Sequence, residues 1–384
     1  MDGSELFLSL LRHSLTGEGA LETNPLQEED AEALFALSAA HGVAHLVGYA
    51  SKRRGLLPAG KALESFTGEI DRAVFSYVQG ERALAALGLI LEGADIPYIP
   101  LKGAVLRYRY PEPWMRNSCD LDLLVPRERH AEAVALLLRQ GYRHLIRTGH
   151  DDSFLSPDGL VHIELHFDLL LCGEAGDRFL REVWQRATVC EGCRARRQMD
   201  AECFYTFHIA HMARHVLSGG CGVRPFADLY ILRREAMPDS PLLSMLGLSR
   251  FAGCATALAA SYFEGTPIEE ELAAFSRFVL AGGVYGTTAQ RAGVGRAVRG
   301  RLGYLFRRVL PPYRAMCGLY PVLRRFPLLL PLYHVRRWFR LFHPHGAGIA
   351  HAWRETRALR NGRDGDAAAM LNTLGLSAYA DLHL

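Results

Sequence analysis

The spacing of apolar residues changes twice along the chain and divides it into three regions. Residues 1–92 read as mostly helical. Residues 31–40 are rich in helix formers, and Gly42 suits a C-terminal stop. Residues 61–91 form a longer pattern with Phe66, Ile70, Val74 and Tyr77 on one stripe, closed by Gly93-Ala94-Asp95. The period then shortens. Residues 96–101 are β-branched and aromatic, as in a strand, and Pro97 and Pro100 confine that strand to an edge or an end. A helix over 104–110 opens directly off Lys102-Gly103 and breaks at Pro111. Residues 121–125 form a second strand, and 127–140 an amphipathic helix ended by Gly141. Further strands fall at 142–146, 152–155 and 160–169, with a hairpin signal at Asp158-Gly159. In the last of these Val161, Ile163, Leu165 and Phe167 face one way, and His162, Glu164, His166 and Asp168 the other. From residue 201 the spacing is helical again, with a glycine-rich break at 218–222. The plan is a helical region (1–92), a compact α/β core (93–185) and a C-terminal helical region (186–384).

Composition adds little to this, but the placement of charge adds more. A hydrophobic content of 49% with 22% charged residues is ordinary for a soluble globular chain. The net charge of +3 does not mark the whole molecule as a polyanion binder. Lysine occurs only at 52, 61 and 102, so arginine carries the positive charge, and residues 272–354 contain no acid at all. This segment predicts several proline-punctuated helices. No basic stretch ahead of an apolar run is visible in residues 1–5, so no secretory signal is expected, and no apolar run approaches the ~20 residues that span a bilayer. The cysteine usage suits a reducing, cytoplasmic setting. Cys190 and Cys193 have zinc-knuckle spacing without a second pair, so an ordinary loop is the expectation there.

The chemistry concentrates around Asp120 and Asp122. Residues i and i+2 of a strand project to one side, so the two carboxylates stand together and call for a cation between them. Hard oxygen ligands suit Mg2+ (or Mn2+), with substrate phosphates completing the shell. Such a site needs a third acid on a neighbouring strand. Glu164 fits, and Asp168, further along the same face, ranks second. Lys102-Gly103 between strand and helix offers backbone amides and a point charge to phosphates, and Arg116 is a second candidate nucleotide contact. Each piece alone is common: a solvated strand end, a plain turn, a cross-strand ion pair. Their order along the chain is what points to a metal–nucleotide site.

These residues resemble a known family. Leu101-Lys102-Gly103-Ala104, Arg116, the run Asp120-Leu121-Asp122-Leu123-Leu124-Val125, Gly141-Tyr142 and Ile163-Glu164-Leu165-His166 resemble the poorly characterised nucleotidyltransferase family of the DNA polymerase beta-like superfamily. The likeness extends from the entry Ile96-Pro97-Tyr98-Ile99-Pro100 to His211-Met212-Ala213-Arg214-His215 and Arg224-Pro225-Phe226-Ala227-Asp228. It implies an α+β fold, a small mixed β-sheet core flanked by helical regions, with two acids on one strand and a third on another. It implies transfer of a nucleotidyl group from a nucleoside triphosphate to a hydroxyl or phosphate of an acceptor, in polysaccharide or modified-peptide biosynthesis. Asp120 and Asp122 would bridge two metal ions, and Glu164 would hold the catalytic one and help deprotonate the acceptor. One departure matters. The superfamily's glycine-glycine/serine turn is here Lys102-Gly103-Ala104, without a serine hydroxyl, which leaves a nucleotide sugar open as donor. A catalytically silent nucleotide-binding regulatory protein is the alternative on the same fold.

Three further features remain. His208, His211 and His215 share a helix face, and the expectation is a helix over the sheet with His211 or His215 near substrate, ahead of zinc binding. With His166 and Arg224 they are the acceptor-side candidates, although Arg224 and Asp228, four apart, could simply pair. The arginines of the basic segment alternate with Leu, Phe, Tyr and Trp338. That pattern suits a solvated face, peripheral contact with an anionic membrane surface, or an acidic ligand or RNA. No specific nucleic acid is expected.

Overall fold

In a computed structural model of the chain, residues 3–17, 24–169, 173–234, 237, 239–342 and 364–383 are described. The N-terminal helices are α1 (Gly3–Thr16), α2 (Glu28–Ala40), α3 (Ala44–Arg53) and α4 (Lys61–Gly93). Acids in the first turn of α2 offset its dipole, and Gly42 at φ 66° follows its end. The buried stripe of α4 differs from the expected one. Val74 is exposed, and the buried face runs through Phe66, Ala73, Gly80 and Leu87 at seven-residue intervals. Small residues there admit a neighbour: the Arg107 guanidinium stands 3.3 Å from where a Cβ on Gly80 would be. By length and composition alone α4 could also cross a membrane, contrary to the expectation from apolar runs. It instead joins the two larger cores, through Phe66 at one end and Leu84, Leu87 and Leu91 at the other.

The sheet follows as β1 (Ile99–Pro100), α5 (Gly103–Leu106), β2 (Asp120–Leu124), α6 (Arg127–Arg139), β3 (Arg143–Arg147), β4 (Asp151–Leu155) and β5 (His162–His166). Its order is β1-β2-β5-β4-β3, with β2 and β5 parallel and the other pairs antiparallel. β1 is shorter than its apolar run because Pro97 and Pro100 have no amide to donate, and it lies at the edge. The helix expected over 104–110 is one α turn followed by a 3-10 turn, Arg107–Arg109. Leu121, Leu123, Ile163 and Leu165 face a core shared with α4 and α6. That leaves Asp120, Asp122, His162, Glu164 and His166 on the opposite face.

After the sheet come α7 (Gly173–Arg186), the small hairpin β6 (Thr188–Val189) and β7 (Arg197–Gln198), α8 (Ala201–Leu217), α9 (Arg224–Leu232), α10 (Pro241–Leu246), α11 (Ser249–Glu264) and α12 (Ala273–Gly282). The hairpin docks on the β1 edge, where the Tyr98 amide donates to the Ala195 carbonyl at 3.1 Å. The basic segment supplies α13 (Thr288–Val309), α14 (Tyr313–Leu319), α15 (Val322–Arg325) and α16 (Leu330–Phe342), and helices Asp364–Thr373 and Leu376–His383 follow. The N-terminal and C-terminal helices share one large core, with Phe7 and Leu10 in the same cluster as Phe226, Tyr262 and Phe275. The break at 218–222 is a close backbone contact: a Cβ on Gly220 would fall 2.1 Å from the Gly286 amide nitrogen. The architecture is α+β, a small mixed sheet with helical flanks.

Candidate active site

Parallel pairing builds the site. β2 and β5 align with Asp120 opposite His162, Asp122 opposite Glu164 and Leu124 opposite His166. Residues in register on paired strands share a face, so three acids and two histidines meet on the side away from the α4/α6 core. They form two overlapping groups in which every ligand atom lies within 4.8 Å of the others: Asp120, His162 and Glu164, and Asp122, Glu164 and His166. Glu164 belongs to both, whereas Asp120 and Asp122 fall in different groups. Either group could hold a metal ion. β4 adds to the same face, with Ser153 opposite Glu164 and Asp151 opposite His166.

Asp122 is the electrostatic centre. It is buried, and its Oδ1 accepts from Lys102 Nζ at 2.6 Å and lies 3.0 Å from His166 Nε2. Burial alone would raise its pKa, but the Lys102 charge and the His166 bond hold the carboxyl well below the usual carboxylate range. His166 shows the converse. Burial opposes its charge, yet its contacts with Asp122 and with Glu164 at 3.3 Å raise its pKa. His162 Nδ1 sits 2.8 Å from Asp120 Oδ1. Lys102 reaches Asp122 from a strained backbone, φ 45° and ψ −119°, a conformation other residues leave to glycine at a cost of about 1–3 kcal/mol. The four-residue α5 behind it is too short to act as a helix-end anion site, so the expected cradle at Lys102-Gly103 reduces to the Lys102 charge and the turn itself. A Cβ on Gly103 would lie 3.0 Å from Ser118 Cβ. A serine therefore does stand beside the turn, brought in from residue 118, with its Oγ donating to the Asp120 carbonyl at 2.8 Å.

Arg116 is committed to a buried network. Its Nε donates to Asp228 Oδ1 at 2.6 Å, and the Tyr110 hydroxyl donates to the same oxygen at 2.7 Å. Asp228 thus pairs with Arg116, and not with Arg224, the partner that helical spacing also allowed. Arg224 is partly buried at the start of α9, and burial followed by the charge of Arg116 lowers its pKa. Asp228, whose charge it feels, is already shared by Arg116 and Tyr110.

His211 and His215 of α8 come within electrostatic reach of the Lys102–Asp122 pair. Their rings are 4.5 Å apart, and both sense the Lys102 charge. Burial is the largest cause that pushes both down, His211 well below its ordinary value and His215 to about 4, so both are neutral imidazoles near pH 7. His208 is lowered by burial too and contacts the Pro225 carbonyl at 3.1 Å. Among the described residues no three-ligand group includes these histidines or Cys190 and Cys193. Asp168 is paired with Arg127 and stands outside both metal groups.

Sequence reasoning missed Lys102 as the partner of Asp122, His162 as the partner of Asp120, and Ser118 beside the turn. It also missed His150, whose ring stacks on His166 at 5.9 Å and which Asp151 contacts at 3.1 Å. The alternation of β5 already placed His162 on the polar face and was the available signal. No curated protein and no solved structure matches the chain. A family model described as uncharacterised nucleotidyltransferase matches residues 27–264, which takes in the whole sheet, α8 and α9. The chain belongs to this nucleotidyltransferase family.

Proposed function

We propose that the protein is a metal-dependent transferase that moves a nucleotidyl group from a nucleoside triphosphate to a hydroxyl or phosphate of an acceptor. The observation that carries this reading is the register of β2 on β5, which sets Asp122 opposite Glu164 and makes Glu164 common to two ligand groups. The donor set fits a divalent ion: carboxylate oxygens suit Mg2+, and the adjoining imidazoles suit Mn2+ as well. Glu164 would hold it together with Asp120 in one group or with Asp122 in the other, and the ion would supply charge neutralisation at the donor phosphates.

The chain's own residues do the rest. Lys102 stands in for a cation at Asp122 and, on leaving it, offers its ammonium to the phosphates. His166 keeps Asp122 and Glu164 in place through bonds to both. Glu164, partly exposed, takes the proton of the acceptor hydroxyl. His211 and His215 border the acceptor side as neutral groups, and Arg224 offers a cation to an anionic acceptor. Arg116 acts at one remove by fixing α9 to the turn before β2. A nucleotide sugar would present the same phosphates, so the donor is decided by experiment. Thermal shifts with nucleoside triphosphates and nucleotide sugars, with and without Mn2+, are followed by a release assay on the stabilising donors, reading pyrophosphate from a triphosphate and nucleoside diphosphate from a nucleotide sugar. Asp120→Asn and Asp122→Asn should each abolish release while the fold persists. Full activity in either variant, or metal-independent release, overturns the reading.

A further inference from the structure

Between Gly300 and Phe339 many apolar side chains turn outward. α13 breaks at Gly300 (φ 68°, ψ 163°). After the break Leu302 (83% exposed), Phe306 (63%) and Val309, four and three residues apart, share one side. In α16, Leu332, Val335 and Phe339 (71%), three and four apart, do the same. Trp338 Nε1 donates to the Val309 carbonyl at 2.9 Å and holds the end of α13 against α16. Leu319, Phe326 and Leu328 (94%) are exposed between them. This is not a failure to pack. Met316, Cys317, Tyr320 and Leu323 form a small core of their own with Leu330 and Tyr333. The outward residues are what that core leaves over, and so many on one segment mark an interaction surface.

Charge indicates the partner. No acid occurs from 272 to 354, and Arg307, Arg324, Arg325 and Arg336 are exposed among the apolar positions. We propose that residues 302–339 dock on the surface of an anionic phospholipid bilayer, with the apolar stripes at the acyl boundary and the arginines on lipid phosphates. A second copy fits less well, because it would press two acid-free basic faces together. RNA would satisfy the arginines but leave Leu302, Phe306, Leu328 and Phe339 in water. The proposal is independent of the reading of the sheet site.

Flotation of the full chain with phosphatidylcholine vesicles, with and without phosphatidylglycerol, tests it. The protein should float with the anionic vesicles only. High salt should release it, as the screening length falls from about 10 Å at 0.1 M to about 3 Å at 1 M. Arg307→Gln and Arg325→Gln should each weaken partitioning about fivefold. Phe306→Asp with Phe339→Asp should abolish it, with an unchanged circular dichroism spectrum because both positions are exposed. Equal binding to neutral vesicles, no binding to either, or unaltered binding by the variants overturns the proposal. A concentration-dependent dimer that Phe306→Asp dissolves, or RNA binding with the same arginine dependence but no flotation, also overturns it and names a different occupant.

Discussion

Lys102→Met tests how the buried acid at the centre of the site is balanced. Lys102 Nζ and Asp122 Oδ1 are 2.6 Å apart, with the aspartate side chain 4% exposed and the lysine 23%. At an effective dielectric constant of ~20 the attraction is about 6 kcal/mol. Solvent screening at the partly exposed lysine and the desolvation of Asp122 offset much of it. Removing the cation alone should therefore cost about 3 kcal/mol, because a buried carboxylate is left with only His166. Asp122→Asn should cost less, about 1 kcal/mol, since the freed Lys102 turns to water. The double variant should lose far less than the two single losses together, a coupling of about 2 kcal/mol. Urea denaturation followed by tryptophan fluorescence in chelator-treated buffer measures all four proteins. Added Mn2+ should then stabilise Lys102→Met more than the parent, as the ion takes the vacated partner's place; at a hundred times Kd such linkage is worth about 3 kcal/mol. A Lys102→Met protein as stable as the parent would refute the reasoning, and so would additive losses in the double variant.

Other outcomes follow from the same geometry. His45 is buried, contacts the Met115 carbonyl at 2.8 Å, and is pushed down to about 4, chiefly by burial. Between pH 6.5 and 4 the unfolded chain binds its proton and the folded one does not, so stability falls as pH falls across this window. His45→Gln should remove up to about 3 kcal/mol of that loss at pH 4, and an unchanged pH slope in denaturation would count against it. Asp228→Asn strands the buried Arg116 and should cost about 3–5 kcal/mol, whereas an unshifted melting curve would mean the pair is solvated. His162→Ala should weaken Mn2+ binding about tenfold by calorimetry and Mg2+ binding less, since imidazole favours Mn2+; equal losses for both ions would leave His162 without a role at the metal.

Where the fold could be read from sequence, one element's own periodicity decided it. The alternation of β5 and the stop at Gly141 needed no knowledge of neighbours. α4 shows the limit. Its stripe looked set by the large residues Ile70, Val74 and Tyr77, but Arg107, paired with Glu81 at 3.0 Å, requires a small residue opposite, so Gly80 faces inward on the buried side that Ala73 shares. Helical spacing says which residues share a face and not which face a neighbour covers. Arg116 and Asp228, 112 residues apart, belong to the same class of contact. No local pattern preferred that pair to Arg224 with Asp228.

The site divides along the same line. Spacing within β2 and within β5 is enough to put Asp120 with Asp122 and Glu164 with His166. What brings the strands together is their parallel register, and a shift of one residue would send Glu164 to the apolar face. Leu121, Leu123, Ile163 and Leu165 prevent that shift, since all four are at most 3% exposed and a slip would bury charge in their place. The acidic face is thus specified by residues that never touch it. The same argument accounts for Lys102. Once hydrophobic register has buried Asp122, ionised and close to Glu164, a cation must meet it whether or not a metal is bound. The left-handed turn at Lys102 is the strain that places one there.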